Sequence, residues 1–355
     1  MAVEEGVDPA WLSHVLGASV TDVSVRPTDA FNSRTVQLQV SYADNAVGPT
    51  RLVLKRNAAA AWAIEAGRQE AAFYEFVRDL DPPPPSLVPS LAAGVDQSTG
   101  DSFVLLPDLS ATHAPPVTRA SQIALDGVPS ERDIRACVTA LARHHAYWWD
   151  HPELSTGRFD VGSWSRDAER AAAYRERRLA AFASVDWSLA EPEDAELCRQ
   201  VLEHAEAHAR SHLIPRFTAG HNLTLAHGDA YFANFLCSRT STEAYLLDWQ
   251  GPEVDHAGAD LALLLASFWT SRQRHEQSRE LRCLQLYHQT LLDNGVSAYG
   301  WDELVTDYQS GLLYWLLVPV QDAADGSPPT YWLPKLRCLA EAVRDWNCLG
   351  LLPLD

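Results

Sequence analysis

Residues 221–250 read HNLTLAHGDAYFANFLCSRTSTEAYLLDWQ, and the rest of the chain is organised around them. His227-Gly228-Asp229 is followed, five residues after the aspartate, by Asn234. Fourteen residues further on, the apolar run Ala244-Tyr245-Leu246-Leu247 delivers Asp248 and then Trp249. Phosphoryl transfer asks for few protein groups: an acceptor for the hydroxyl proton, and oxygen ligands for Mg²⁺ held against the phosphates. An aspartate, an asparagine one loop-length on and an aspartate at a strand end supply that set. An isolated His-Gly-Asp is usually only a turn. The whole constellation, flanked by apolar strands, points to chemistry.

The kinase catalytic loop H-R-D-x-x-x-x-N, followed by a second metal-binding aspartate, has the same order and spacing. Here Gly228 replaces the arginine, and Asp248-Trp249-Gln250 stands where D-F-G would be. This variant resembles the aminoglycoside phosphotransferase and choline kinase superfamily, with its ecdysteroid-kinase-like relatives. The resemblance implies an α+β, bilobal protein-kinase-like fold with an N-terminal five-stranded antiparallel sheet plus helix and a mainly helical C-terminal lobe. It sets a nucleotide-binding lobe at 1–106, a hinge and linker at 107–129, and a catalytic and substrate-binding lobe at 130–355.

Working back to the N-terminus, Asp8 and Pro9 open a short helix over 8–18. Val23-Ser24-Val25, Thr35–Tyr42 and Arg51–Lys55 alternate as strands. The polar loop from Thr28 to Arg34 lacks a glycine-rich pattern, and the resemblance places it over the phosphates through Asn32, Ser33 and Arg34. Lys55 closes the third strand, and a helix is expected over 59–80. A kinase needs a strand lysine on the α/β-phosphates, fixed by a glutamate from the next helix. Glu70 is the expected partner and Glu65 the alternative. After Pro82–Pro85, strands are expected at Leu87–Val95 and Ser102–Leu106. Pro107-Asp108-Leu109-Ser110 resembles the family's hinge, so Leu106 and Asp108 are expected near the adenine.

Towards the C-terminus, Ser130 and Asp133 cap a helix through Trp149. Leu141, Ala142, His145, Ala146 and Trp149 match a segment of the same relatives that packs beneath the catalytic loop. Helices are expected at 163–184, 190–214, 274–294, 300–320 and 332–348. Asp260 precedes a buried-looking helix, and the resemblance makes it, with His227, structural support for the loop.

A net charge of −19 argues against a nucleic-acid partner, which requires a basic face. The six cysteines form no C-x-x-C pair and read as buried hydrophobes in a reducing compartment. The acidic N-terminus is unlike a signal peptide, and no apolar run approaches the ~20 residues of a membrane span. A cytoplasmic location and a monomer or homodimer are expected.

These residues predict an ATP- or GTP-dependent O-kinase for a small hydroxyl acceptor, with Mg²⁺ as cofactor. The acceptor classes are an aminoglycoside, nucleoside or other antibiotic, a sugar or alcohol, or a choline- or ecdysteroid-like metabolite. A non-catalytic nucleotide-binding protein is the alternative of another class, disfavoured because Lys55, Asp229, Asn234 and Asp248 are all present. A protein kinase is disfavoured because no A-P-E segment occurs. Asp229 is the expected base, with Asn234 and Asp248 as metal ligands. Tyr231, Gln250, Glu253, Asp255 and Trp269 are the acceptor-side candidates.

Overall fold

Alternation in the first hundred residues builds an antiparallel sheet whose two faces are covered by different helices. The computed structural model describes residues 7–28, 33–43, 47–97, 100–162 and 166–353. The contacts divide it into two compact units, the first running to Ala114 and taking in Ser238–Thr240 and Tyr245–Gly251.

In the first unit, Asp8 accepts the Trp11 N–H and caps α1 (Pro9–Leu16), which Gly17 ends in a left-handed turn. The strands are β1 (Val20–Pro27), β2 (Ser33–Tyr42) and β3 (Arg51–Asn57). They are followed by α2 (Ala61–Arg78), β4 (Ala92–Val95), β5 (Ser102–Pro107) and the short β6 (His113–Ala114). The antiparallel order is β1-β2-β3-β5-β4. Val36, Leu38, Val40, Leu52, Leu54 and Leu105 point to one face and form a core with Leu12 of α1. Helix α2 packs on β3, β4 and β5 with Phe73, Tyr74 and Val77 buried. Lys55 lies opposite Thr35 on β2 and Val104 on β5. Being one residue out of phase with Leu52 and Leu54, it faces away from the α1 core.

The strand expected over Leu87–Val95 is shorter, covering Ala92–Val95, with Leu87 forming a lone bridge to Leu246. Pro89 explains the gap, because a proline has no N–H for the ladder. Residues 29–32, including Asn32 of the expected phosphate loop, lie outside the described residues.

The second unit comprises residues 115–237, 241–244 and 252–355. Its first helix, α3 (Arg119–Ile123), is capped by Thr118 within the stretch read as linker. Ser130 accepts the Asp133 N–H at the start of α4 (Glu131–Trp148). Then come β7 (Asp160–Val161), α5 (Ala168–Ser184), α6 (Pro192–His208) and α7 (Ile214–Ala219). The single helix expected over 190–214 is thus divided: a π-turn at Ala209–Leu213 precedes Pro215, which removes one i→i−4 donor. Strands β8 (Thr224–Ala226), β9 (Phe235–Ser238), β10 (Ala244–Leu246) and β11 (Glu253–Asp255) surround the opening motif in sequence. β11 pairs antiparallel with β8 and parallel with β7.

Helices α8 (Gly258–Ala266), α9 (Ser271–His275), α10 (Arg279–Asp293), α11 (Trp301–Leu316), α12 (Val318–Ala324) and α13 (Pro329–Asp345) complete the unit. Asp260 lies inside the first turn of α8 and not ahead of it. The helix expected over 274–294 is broken at Gln277 and Ser278, both at positive φ. A Cβ on Gly258 would lie 1.9 Å from the Asp307 carbonyl oxygen, and one on Gly311 2.2 Å from that of Gly258. The two glycines therefore let α8 and α11 touch backbone to backbone. All six cysteines are free and buried. Among the described residues no helix is long and apolar enough to cross a membrane.

Candidate active site

Each unit assembles part of the predicted residue set. In the first, β3 carries Lys55 to the face under α2, where its Nζ meets the Glu70 carboxylate at 2.7 Å. Glu70 is buried at 3% exposure, whereas Glu65 is exposed, so the helix offers Glu70 as the partner. Lys55 also bonds the Asp248 carboxylate. Burial alone would push the Lys55 ammonium down, but the two carboxylates outweigh it and hold it above the usual lysine range. Burial pushes Glu70 up, with Lys55 opposing.

Asp248 sits at φ 73, an unusual conformation for a non-glycine residue, and its surroundings fix it there. Trp249 is fully buried, stacks on Phe73 at 4.7 Å and donates its indole N–H to the Leu246 carbonyl at 3.3 Å. The Gln250 backbone N–H donates to the Asp248 carbonyl at 2.9 Å, and the Gln250 amide donates to its carboxylate at 2.5 Å. Gln250, expected on the acceptor side, thus braces Asp248. Local sequence gave no sign of the Phe73–Trp249 clamp, because its two halves lie far apart in the chain.

The other expected nucleotide residues are more dispersed. Ser33 shares a small cavity with Lys55, Glu70 and Gln250, and its hydroxyl pairs with that of Thr35 at 2.9 Å. Arg34 is half-exposed, donates to the Asn57 carbonyl and pairs with Asp101. Leu106 lies opposite Val53 within β5. Asp108 accepts from Arg51 at 2.6 Å and from the Ser110 N–H at 2.9 Å. Burial would raise the Asp108 carboxyl, but Ser110 and Arg51 lower it below the usual range. Its backbone N–H donates to the Arg51 carbonyl at 3.0 Å, and Pro107 has none to offer. The Asp108 side chain therefore ties down the end of β5.

In the second unit, β8 runs directly into His227-Gly228-Asp229. The fully buried Asp260 carboxylate accepts the His227 N–H at 2.6 Å and the Gly228 N–H at 2.9 Å. His145 of α4 adds its Nε2 at 3.0 Å. Burial would raise Asp260, yet His145 and the His227 side acting on it hold the carboxyl below the usual range. Gly228 takes φ 78, which a glycine adopts readily. His227 Nδ1 accepts the Asp229 N–H at 3.2 Å, so that side chain closes the turn.

Asp229 and Asn234 are brought together. The Asn234 amide nitrogen donates to the Asp229 carbonyl and to its Oδ2, both at 2.8 Å. Its other amide atom is an oxygen, the ligand type a hard cation takes. Among the described residues no cluster of three or more His, Cys, Asp or Glu forms a metal site. Beside the loop, the buried Gln122 accepts the Ala233 N–H at 3.3 Å. His144 donates its Nε2 to the Leu225 carbonyl at 2.8 Å, and burial first, then His145, lowers it to about 3.

Of the acceptor-side candidates, Trp269 is 2% exposed and stacks on Phe232 at 5.0 Å. Asp255 is likewise buried and accepts its neighbour His256 N–H at 2.7 Å. Glu253 and Asp255 share one face of β11, and burial pushes both up to about 7. Tyr231 is buried against Phe268, and with Asn234 it lines a narrow cleft that also includes Arg119 and Tyr331.

Residues 30–296 match the model of the phosphotransferase enzyme family. The fold is similar to that of choline kinase from Cryptosporidium parvum Iowa II, at 12% identity and TM-score 0.56 over 98% of this chain and 95% of that one. It is also similar to an ethanolamine kinase from Plasmodium vivax, at 8% identity and TM-score 0.54 over 92% and 83%. Choline kinase LicA from Streptococcus pneumoniae follows at 12% identity and TM-score 0.50 over 92% and 94%. No curated protein matches the sequence significantly.

Proposed function

Because this chain belongs to the phosphotransferase enzyme family, we propose that it is a small-molecule kinase moving the γ-phosphoryl group of ATP or GTP to an acceptor hydroxyl. The observation that carries this reading is the Asp229–Asn234 pair. Asn234 donates to both the Asp229 carbonyl and its carboxylate, and the loop amides hang on the buried Asp260. A carboxylate so positioned orients a hydroxyl and takes its proton as the bond to phosphorus forms.

Lys55 neutralises and positions the α/β-phosphates, and Glu70 limits the ways its ammonium can turn. Asp248 and Asn234 each offer an oxygen to Mg²⁺, which, when bound, neutralises charge on the phosphates. His227 holds the loop backbone. Metabolite phosphorylation and antibiotic inactivation both fit this chemistry, with any sugar, nucleoside or simple alcohol as acceptor.

The test is ADP release across a panel of hydroxyl compounds, with Asp229→Asn beside the parent. That variant keeps the shape but loses the basic oxygen, so turnover should fall by ~10²–10⁴. Nucleotide affinity should stay near that of the parent, a collapsed kcat with an ordinary nucleotide Kd. Turnover within a few-fold of the parent would remove Asp229 from the chemistry.

A further inference from the structure

A cation of the protein's own lies beside the catalytic loop. Lys335 of α13 is 2% exposed. Its ammonium stands 5.6 Å from the ring centroid of Tyr231, and 5.7 Å from those of Trp315 and Tyr331. Asp322 pairs with it at 3.3 Å. Several aromatic faces turned on one cation form the cage that recognises ammonium ligands. Here a lysine fills the cage from within.

The position links this cage to the acceptor side. Tyr231 donates its backbone N–H to the Asp229 carbonyl and accepts the Asn234 N–H on its own, both at 2.8 Å. Tyr231 and Tyr331 also line the cleft that includes Asn234 and Arg119. Two cationic side chains, Lys335 and Arg119, thus border the loop. Among the described residues, Asp322 is the carboxylate paired with Lys335. A ligand ammonium approaching Tyr231 would meet like charge, and ring faces already occupied. Discrimination by an occupied site and a repelling charge is a recognised route to specificity.

We propose that Lys335 sets acceptor specificity by occupying an ammonium cage. It excludes acceptors that carry an amine or quaternary ammonium group near the reacting hydroxyl and admits neutral or anionic alcohols. The proposal rests on the kinase reading above for the identity of the acceptor side. The net charge of −19 does not decide the matter, because the field at a site is set by the nearest charges.

The experiment titrates tetramethylammonium chloride into the parent and into Lys335→Ala by calorimetry, with sodium chloride matching the ionic strength. Removing the lysine leaves three ring faces and the Asp322 carboxylate. The variant should then bind tetramethylammonium saturably and at least about tenfold more tightly than the parent. Lys335→Met, which refills the cage with an uncharged chain, should show no such gain. A parent that binds tetramethylammonium as tightly as the alanine variant overturns the proposal, and so does a folded alanine variant that binds no better. Circular dichroism establishes folding. Should the alanine variant not fold, the parent decides: saturable binding of the cation overturns the proposal, and its absence supports it. No turnover enters this readout, so a chain that gains the cation but releases no ADP would refute the kinase reading alone.

Discussion

The Asp260 carboxylate accepts the His227 backbone N–H at 2.6 Å, joining α8 to the loop that follows β8. The same group accepts the Gly228 N–H and the His145 Nε2–H, so one buried side chain holds a strand end, a turn and α4. A buried carboxylate is costly to desolvate unless its lone pairs are occupied, and here three donors occupy them.

Asp260→Ala should therefore destabilise strongly. It strands one buried and one part-buried amide and a buried histidine, and breaking such a set costs about 3–5 kcal/mol. Asp260→Asn keeps one acceptor oxygen and should cost less. Urea unfolding midpoints for both variants check this. An alanine variant within about 1 kcal/mol of the parent would mean that the loop amides find other acceptors.

Lys55 and Glu70 should act as a unit. The ammonium is useful to phosphates only where it is held, and Glu70 holds it at 2.7 Å. Lys55→Met and Glu70→Gln should each lower kcat/KM, and the double variant should lose much less than the product of the two losses. Strictly multiplicative losses would show that Glu70 does not orient the lysine.

Gly258 offers a test at some distance from the chemistry. Its missing Cβ is what lets the Asp307 carbonyl approach, and α8 carries Asp260 two residues on. Gly258→Ala should push α8 from α11 and cost about 1–3 kcal/mol or more, the range for overpacking a close contact. Activity should fall with stability, because Asp260 moves with its helix. A thermal melt unchanged from the parent would show that the helices separate without strain.

What the sequence made legible follows from where each interaction lies in the chain. The Asp229–Asn234 pair is local, so the spacing of the two residues announces it. The Lys55–Glu70 pair spans one strand-to-helix connection, close enough for a pattern to suggest it and for geometry to choose Glu70 over Glu65. The sheet could be read because Val36, Leu38 and Val40 alternate with polar neighbours. The burial of Trp269 was not legible, because an aromatic residue near a motif looks the same in sequence whether it lines a cleft or packs beneath it. The cage escaped for a different reason: Lys335 and Tyr231 are about a hundred residues apart, and no local pattern marks a lysine destined for burial. The π-turn at Ala209–Leu213 and the break at Gln277 and Ser278 escaped because no proline or glycine lies within them in sequence.

The last prediction concerns the acid pair on β11. Glu253 and Asp255 are two residues apart on one face, and burial pushes each to about 7, with Asp260 and Asp160 also raising Glu253 and Glu253 raising Asp255. An unfolded carboxylate titrates near ~4. Between that value and about 7 the folded chain holds protons that the unfolded chain has lost, so their contribution to stability is full at low pH and declines as pH rises towards 7. Two buried histidines act in the opposite sense. His144 is lowered to about 3 and His208 to about 4, burial being the first cause for both. The unfolded chain gains their protons below ~6.5, and their contribution is lost as pH falls through that range. The parent's pH profile sums these opposed slopes, so the informative quantity is variant minus parent. Glu253→Gln is nearly isosteric with the protonated acid and also relieves Asp255. It should match the parent near pH ~4 and become progressively more stable than it up to about pH 7. Urea midpoints measured across that range decide the matter, and a difference that does not change with pH would show that Glu253 does not titrate there.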